Sequence, residues 1–470
     1  MTPTKTSRER LTVTAPYDGS VIGDVAIASR ATVEEKLANA AAFHARGTKL
    51  NVSERIEVLG RAATIMSDQS ETLAVEAARE GGKPLIDSRI EVARAIDCLH
   101  VCVETLRSKP GQVIPMDLNL ASANRIAFTR KEPIGVVVAV SAFNHPINLI
   151  AHQVGPAVAS GCPVIVKPAG ETPLSCLRFV QILREAGLPE ALCVPLVIDD
   201  RSVAEALVTD PRVAFFSFIG SPRVGWYLRS KLAPGTRCAL EHGGAAPVIL
   251  HDDANLEHAL SAILKGGFYH AGQVCVSVQR VYVPQGLARS FADQLAERAV
   301  ALKVGDPTNE ETEVGPLIRH DEVSRVHEWV EEARGAGADV LTGGSPLSES
   351  CYAPTVLYDP PDSVRVSTEE VFGPVVCVYP IADLNEAIHR ANALPYAFQA
   401  AVFTRDIDVA MRAYTGLDAS AVMINDHSAF RVDWMPFAGT KLSGLGVGGI
   451  PHTMADMQIE KMMVLQSGEL

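Results

Sequence analysis

Residues 268–276 (FYHAGQVCV) set a thiol, Cys275, after Gly272 and Gln273 at the end of a helical pattern. A free thiol is only a few per cent ionised near neutrality, so a nucleophilic cysteine needs helix-end amides or positive groups that lower its pKa. Alone, Cys275 reads more simply as a buried structural cysteine. Residues 241–244 (EHGG) place a carboxylate before paired glycines, where backbone approaches something closely and Glu241 can serve as a general base. Alone, it is a solvated glutamate at a turn. Residues 141–146 (SAFNHP) offer an amide, Asn144, able to donate to an oxyanion beside a reacting thiol; alone, Asn144 is a turn residue. Residues 166–173 (VKPAGETP) carry Lys167, either a holder of ribose or phosphate oxygens or a surface lysine. Residues 218–225 (FIGSPRVG) put Gly220, Ser221 and Gly225 where bare amides can meet a diphosphate. This is not a P-loop, because Trp226 follows in place of lysine.

Each segment sits at a predictable junction. Apolar positions three and four residues apart, such as Ile56, Leu59, Ala63 and Met66, predict helices over 32–108. The continuous apolar run 135–140 predicts a strand buried on both faces; a helix over 147–160 closed by Gly161 and a second strand over 163–167 complete a strand–helix–strand unit. A further strand over 213–219 stops at Gly220, and such strand-to-helix turns are where open parallel sheets bind ligands. After Gly243 and Gly244 the pattern restarts with strand 247–250, helix 256–269, strand 281–284 and helix 287–302. The domain boundary is placed at those glycines.

The 470 residues exceed what one hydrophobic core supports, so two large domains are expected. With 47% apolar and 21% charged residues the composition is that of a globular protein. A net charge of -13 without a Lys/Arg cluster excludes a nucleic-acid partner and an acidic membrane surface. The start, MTPTKTSRER, lacks the apolar core of a signal peptide and no stretch approaches the ~20 apolar residues of a membrane span, which implies a cytoplasmic protein. Nine cysteines without a C-x-x-C pair argue against disulfides and zinc; Cys98 and Cys102, four residues apart on a helix, read as packing residues, and no metal is expected.

In this order and spacing, the five segments resemble the aldehyde dehydrogenase superfamily, as do residues 369–374 (EEVFGP) and 436–446 (PFAGTKLSGLG). The resemblance runs through nearly the whole chain. It implies an α/β fold with a Rossmann-like cofactor domain (1–111 and 131–243), an α/β catalytic domain (244–440), and a small β oligomerisation arm with tail (112–130 and 441–470). It further implies that Cys275 is the nucleophile, Glu241 the general base, and Asn144 with the Cys275 amide the oxyanion hole. Lys167 would hold adenosine ribose oxygens, Gly220, Ser221 and Gly225 the diphosphate, Glu370 the nicotinamide ribose, and Phe372 would flank the nicotinamide. The implied reaction is oxidation of a small aldehyde to its acid with NAD or NADP through a thioester, by a homodimer or homotetramer.

Departures from the family pattern bear on specificity. Gly170 stands where many NAD-preferring relatives have a ribose-binding glutamate, so NADP is admissible; the residues after Glu241, HGGAAP, also differ from the usual pattern. His145, with Arg94 and Arg431, would build a polar or cationic pocket for a short aldehyde bearing a carboxylate, phosphonate, sulfonate or hydroxyl. The opposing reading pairs Arg94 with Glu91 or Asp97 and Arg431 with Asp433, leaving no charge for substrate. Val274 stands where some relatives that take anionic aldehydes have an arginine. Glu241 favours hydrolysis over the rival transfer of the acyl group to coenzyme A. Cys275, Glu241, Asn144 and Lys167 together count against a non-catalytic NAD-binding relative.

Overall fold

The apolar run ending at residue 140 forms the strand Val136–Val140, whose side chains alternate between two cores: Val137 and Ala139 enter one, Val136 and Val138 the other. Burial on both faces is the mark of a parallel-sheet strand. The strand lies inside a six-stranded sheet in the order Gly444–Leu445, Arg237–Glu241, Val213–Ile219, Val136–Val140, Val164–Lys167, Cys193–Pro195. All neighbours run parallel except Gly444–Leu445, which lies antiparallel to Arg237–Glu241. The computed structural model describes residues 9–47 and 50–470; residues 1–8 of the start read above as lacking a signal peptide lie outside the described residues.

From Val136–Val140 the chain steps through Val164–Lys167 to Cys193–Pro195, then returns to pair Val213–Ile219 on the other side. That reversal makes a topological switch point between the carboxyl ends of Val136–Val140 and Val213–Ile219, where an open parallel sheet leaves a crevice for ligand. The loops leaving these two ends carry Asn144 and Gly220–Ser221. The helix Asn148–Ser160, buried throughout, ends at Gly161 in the left-handed conformation (φ 81°) that glycine adopts without a Cβ clash.

A second, seven-stranded sheet has the order Asp339–Thr342, Thr355–Tyr358, Val375–Ile381, Val278–Pro284, Ala246–Leu250, Gln399–Phe403, Ala421–Ile424, with only the first pair antiparallel. The strand expected over 281–284 begins three residues earlier, because buried Gln279 and Arg280 interrupt the apolar pattern. Both are satisfied internally: Gln279 donates to Val366 and Glu369 carbonyls, Arg280 to those of Ala245, Arg390 and Ala391. Glu241 closes the strand Arg237–Glu241, immediately before the paired glycines.

A three-stranded antiparallel sheet joins Val113–Ile114, Arg125–Pro133 and Gln458–Gln466. Residues between this arm and residue 441 are shared out differently: Gly444–Leu445 completes the six-stranded sheet, and the helix Ile450–Asp456 buries Ile450 and Met454 against the helical core beneath it. Among the described residues no helix is long and apolar enough to cross a membrane.

Candidate active site

A cavity of about 1130 Å³ opens over the switch point and reaches the loop before Val278–Pro284. Asn144, Gly220, Ser221, Glu241, Cys275, Glu370 and Phe372 line it, together with Arg94, His145 and Arg431. Lys167 and Gly225 do not. Lys167 ends its strand on the same sheet edge and donates to the carbonyl of Pro168 at 3.1 Å. Gly225 is held close to its neighbours: a Cβ there would lie 2.1 Å from the His242 ring, so the helix–strand contact requires its small size.

The cysteine loop is shaped by backbone. After the helix Leu256–Phe268, three successive residues are left-handed, His270 (φ 50°), Ala271 (φ 53°) and Gly272 (φ 70°). A Cβ on Gly272 would sit 2.1 Å from the Gly373 carbonyl oxygen, which requires glycine there. Gln273, fully buried, then fixes the loop: its side chain donates to Pro316 O at 3.1 Å and accepts from Ile318 N at 3.0 Å, while its own carbonyl accepts from Asn144 Nδ2 at 2.8 Å. An amide has two N–H groups, so Asn144 keeps one beyond the bond to Gln273.

Cys275 therefore sits in a turn after the helix, not at the helix end expected from the sequence. Burial pushes its thiol up to about 12; Arg431 opposes this, while Glu370 and Glu241 add to it. Glu241 is likewise raised by burial and lowered by Arg431. Glu370 lies against the paired glycines: Gly244 N donates to its Oε1 at 3.2 Å, and a Cβ on Gly243 would fall 1.6 Å from the same oxygen. Burial raises it to about 8, against the Gly244 amide and Arg325. Phe372 adopts φ 47° and meets Phe143 edge-on at 5.9 Å. A non-glycine residue in this region signals a conformation fixed by its surroundings.

The three expected substrate contacts separate. His145 Nδ1 lies 2.6 Å from the Nζ of Lys83, a fully buried lysine that also pairs with Glu91. Burial, then the Lys83 charge, hold His145 well below the ordinary histidine range, so it lines the cavity as a polar group without adding a charge. Glu91 is committed to Lys83 and to the amides of Ile147 and Asn148 at 2.8 and 3.0 Å, capping the helix that follows Asn144. Arg94 pairs with neither Glu91 nor Asp97 but with Asp433, through Nε at 3.2 Å and Nη2 at 2.6 Å. Arg431 consequently lacks Asp433 as an ion-pair partner; it stacks 3.5 Å from the Phe437 ring centre, donates to His152 Nδ1 at 3.3 Å, and its buried Nε has no hydrogen-bond partner among the described residues. Lys83 and His152 were not singled out by sequence; Gln273 was named only as a neighbour of the thiol, and Glu91 and Asp433 only as ion-pair partners for Arg94 and Arg431.

The glycine cradle around Glu370, the open space at Gly170, where a Cβ would meet nothing within 4 Å, and a cavity larger than a small aldehyde fit a dinucleotide beside a substrate.

Comparison with known proteins agrees. The model of the aldehyde dehydrogenase family matches residues 3–463. The chain is 38% identical over 461 residues to 3-sulfolactaldehyde dehydrogenase of Priestia aryabhattai, covering 98% of this chain and 96% of the relative. An aldehyde dehydrogenase of Physcomitrella patens in complex with the reaction product succinate superposes with a TM-score of 0.94 at 34% identity, covering 100% of this chain and 97% of the other. A glyceraldehyde-3-phosphate dehydrogenase of Methanocaldococcus jannaschii complexed with NADP gives 0.93 at 33% identity, covering 98% and 100%. The chain belongs to the aldehyde dehydrogenase family and is an NAD(P)-dependent enzyme that oxidises a small aldehyde.

Proposed function

We propose that Cys275 is the nucleophile of a hydrolytic aldehyde dehydrogenase whose substrate is a short aldehyde with an anionic end. The observation that carries the mechanism is the meeting of Cys275, Asn144 and Glu241, from three separate segments, on one cavity. With its thiol pushed up to about 12, Cys275 attacks through the fraction of thiolate that has given its proton to solvent, a form the Arg431 charge favours, and Glu241 stays ionised for the water step. The aldehyde oxygen then becomes an oxyanion held by the second N–H of Asn144 and the Cys275 amide. NAD or NADP, when bound, supplies the two-electron acceptor that leaves a thioester on Cys275; Glu370, Gly220 and Ser221 would hold it, with Phe372 beside the nicotinamide and Lys167 at the adenosine ribose. Glu241 finally draws a proton from the water that hydrolyses the thioester.

The anionic end is assigned to Arg431. A guanidinium with an unmet buried N–H, lining the same cavity as the thiol, is completed by a carboxylate, sulfonate or phosphonate. The relatives named for sulfolactaldehyde and glyceraldehyde-3-phosphate act on anionic aldehydes, which supports this reading.

We also place the protein in the cytoplasm as a homodimer or homotetramer, with the domain limits given above, save that residues 444–457 go with the cofactor domain. Nine free thiols support the compartment. The arm's exposed apolar residues, Val113 (80%), Met462 (53%) and Met463 (51%) among them, support burial against a second copy. The experiment is formation of reduced nicotinamide by wild type and Cys275→Ala with NAD or NADP: wild type turns over and the variant is silent. Turnover by the variant refutes the assignment.

A further inference from the structure

Behind the cavity, three side chains form one line of hydrogen bonds. His152, on the helix Asn148–Ser160, is 5% exposed; its Nε2 lies 2.7 Å from Asp433 Oδ1 and its Nδ1 3.3 Å from Arg431 Nη2. A carboxylate only accepts, a guanidinium only donates, and a neutral imidazole does one at each nitrogen. The tautomer is thereby set, with Nε2–H given to Asp433 and the Nδ1 lone pair turned to Arg431. Burial, then the Arg431 charge, push His152 down to about 4, in keeping with a neutral ring.

Cys98 completes a buried trio with His152 and Asp433, their ligand atoms within 4.8 Å of one another. It is not a cation site. The Arg94 guanidinium already binds both oxygens of Asp433, and a metal would stand against that charge.

We propose that Asp433 and His152 are positioning residues that hold the Arg431 guanidinium ready for the anionic end of the substrate. The inference rests on the assignment of Arg431 above. Its logic is one of charge. Had Arg431 paired with Asp433 directly, its charge would be neutralised before substrate arrived. A neutral imidazole set between them passes on orientation without cancelling charge, while Asp433 spends its own charge on Arg94. With Phe437 under its plane and His152 at its edge, Arg431 has already given up the side-chain freedom that anion binding would otherwise remove.

The test compares the full-length wild type with His152→Gln, His152→Asn and Arg431→Met on a matched pair of short aldehydes, one ending in a carboxylate and one in a methyl group. Values of kcat and KM are recorded, with thermal melting and the rate of Cys275 alkylation as checks on folding. Glutamine reaches Asp433 but leaves Arg431 without its acceptor; asparagine keeps an acceptor where Nδ1 stood. Wild type is expected to prefer the carboxylate, and Arg431→Met to lose that preference. His152→Gln should raise KM for the carboxylate about tenfold more than for the methyl aldehyde, the loss of one charge-assisted hydrogen bond. His152→Asn, which restores the acceptor for Arg431 but not the contact with Asp433, should recover part of that discrimination. Equal KM changes for both aldehydes in His152→Gln, with Arg431→Met behaving as stated, overturn the relay and leave the anion assignment standing. If His152→Gln does not fold, His152→Leu, which offers Arg431 no acceptor, decides: equal KM changes for the two aldehydes contradict the relay. A wild type without preference overturns both.

Discussion

Asn144 donates its side-chain amide to the main-chain carbonyl of Gln273 at 2.8 Å, joining the loop after Val136–Val140 to the loop that presents Cys275 two residues later. One hydrogen bond thus fixes the proposed oxyanion donor relative to the proposed nucleophile. Asn144→Ala is expected to lower kcat about a hundredfold to a thousandfold, the usual effect of removing an oxyanion donor, with a smaller change in KM. Steady-state kinetics on the purified variant checks this; an unchanged kcat would remove Asn144 from the reaction.

The Cys275 thiol should ionise late in the free enzyme. Burial and the two carboxylates raise it, so thiolate grows in as pH rises. The rate of alkylation by iodoacetamide should keep climbing past about 8.5, where a free cysteine is half ionised. Arg431→Met removes the one opposing charge and should slow alkylation further at any given pH. A plateau below neutrality would show a thiolate already formed at rest.

Glu370 gives a prediction in stability. Its carboxyl is raised from 4.5 to about 8 by burial, so the folded state binds its proton more tightly than the unfolded state. The stability this confers is complete below about 4.5 and is lost as pH rises toward about 8. Glu370→Gln cannot lose a proton, so its melting temperature should fall less than that of wild type between those values. Parallel curves for the two proteins would contradict the shift.

Gly243→Ala probes the same carboxylate from the backbone side. A Cβ placed 1.6 Å from Glu370 Oε1 forces that side chain away. The expected result is a KM for the coenzyme raised several-fold more than that for the aldehyde, measured with each varied at saturation of the other.

The buried Lys83–Glu91 pair supports the loop between Asn144 and its helix. Removing one partner leaves an unpaired buried charge, so Lys83→Met or Glu91→Gln should each cost about 3–5 kcal/mol in urea unfolding. The double variant should cost less than the sum of the two. Additive costs would mean that the pair does not act as a unit.

What was legible in the sequence follows the reach of local pattern. Strand ends announced themselves, since apolar runs stop at punctuation: the strands ending at Val140, Lys167 and Ile219 emerge where the sequence puts them, and with them Asn144, Lys167 and Gly220. The supports of the site were hidden because each acts across the chain. Gln273 binds residues 316 and 318, Lys83 reaches His145, and Asp433 joins Arg94 to His152. No spacing encodes those meetings. The pairing of Arg94 shows the same limit: helical spacing offered Glu91 and Asp97, but Lys83 had claimed Glu91 and the fold supplied Asp433. Gly225 shows a second limit, because a glycine near a strand end serves close packing as readily as ligand approach, and the sequence does not reveal its contact with His242.

The central claim is that the acyl group is carried on Cys275 and released by water drawn on by Glu241. Its most direct test is intact-protein and peptide mass spectrometry of Glu241→Gln after mixing with a short anionic aldehyde and NAD or NADP. The account predicts one acyl adduct per chain, on the peptide containing Cys275, that persists because its hydrolysis is slowed and that is absent from Cys275→Ala. Turnover of Glu241→Gln at the wild-type rate without an adduct, or an acyl group found on another residue, would contradict it.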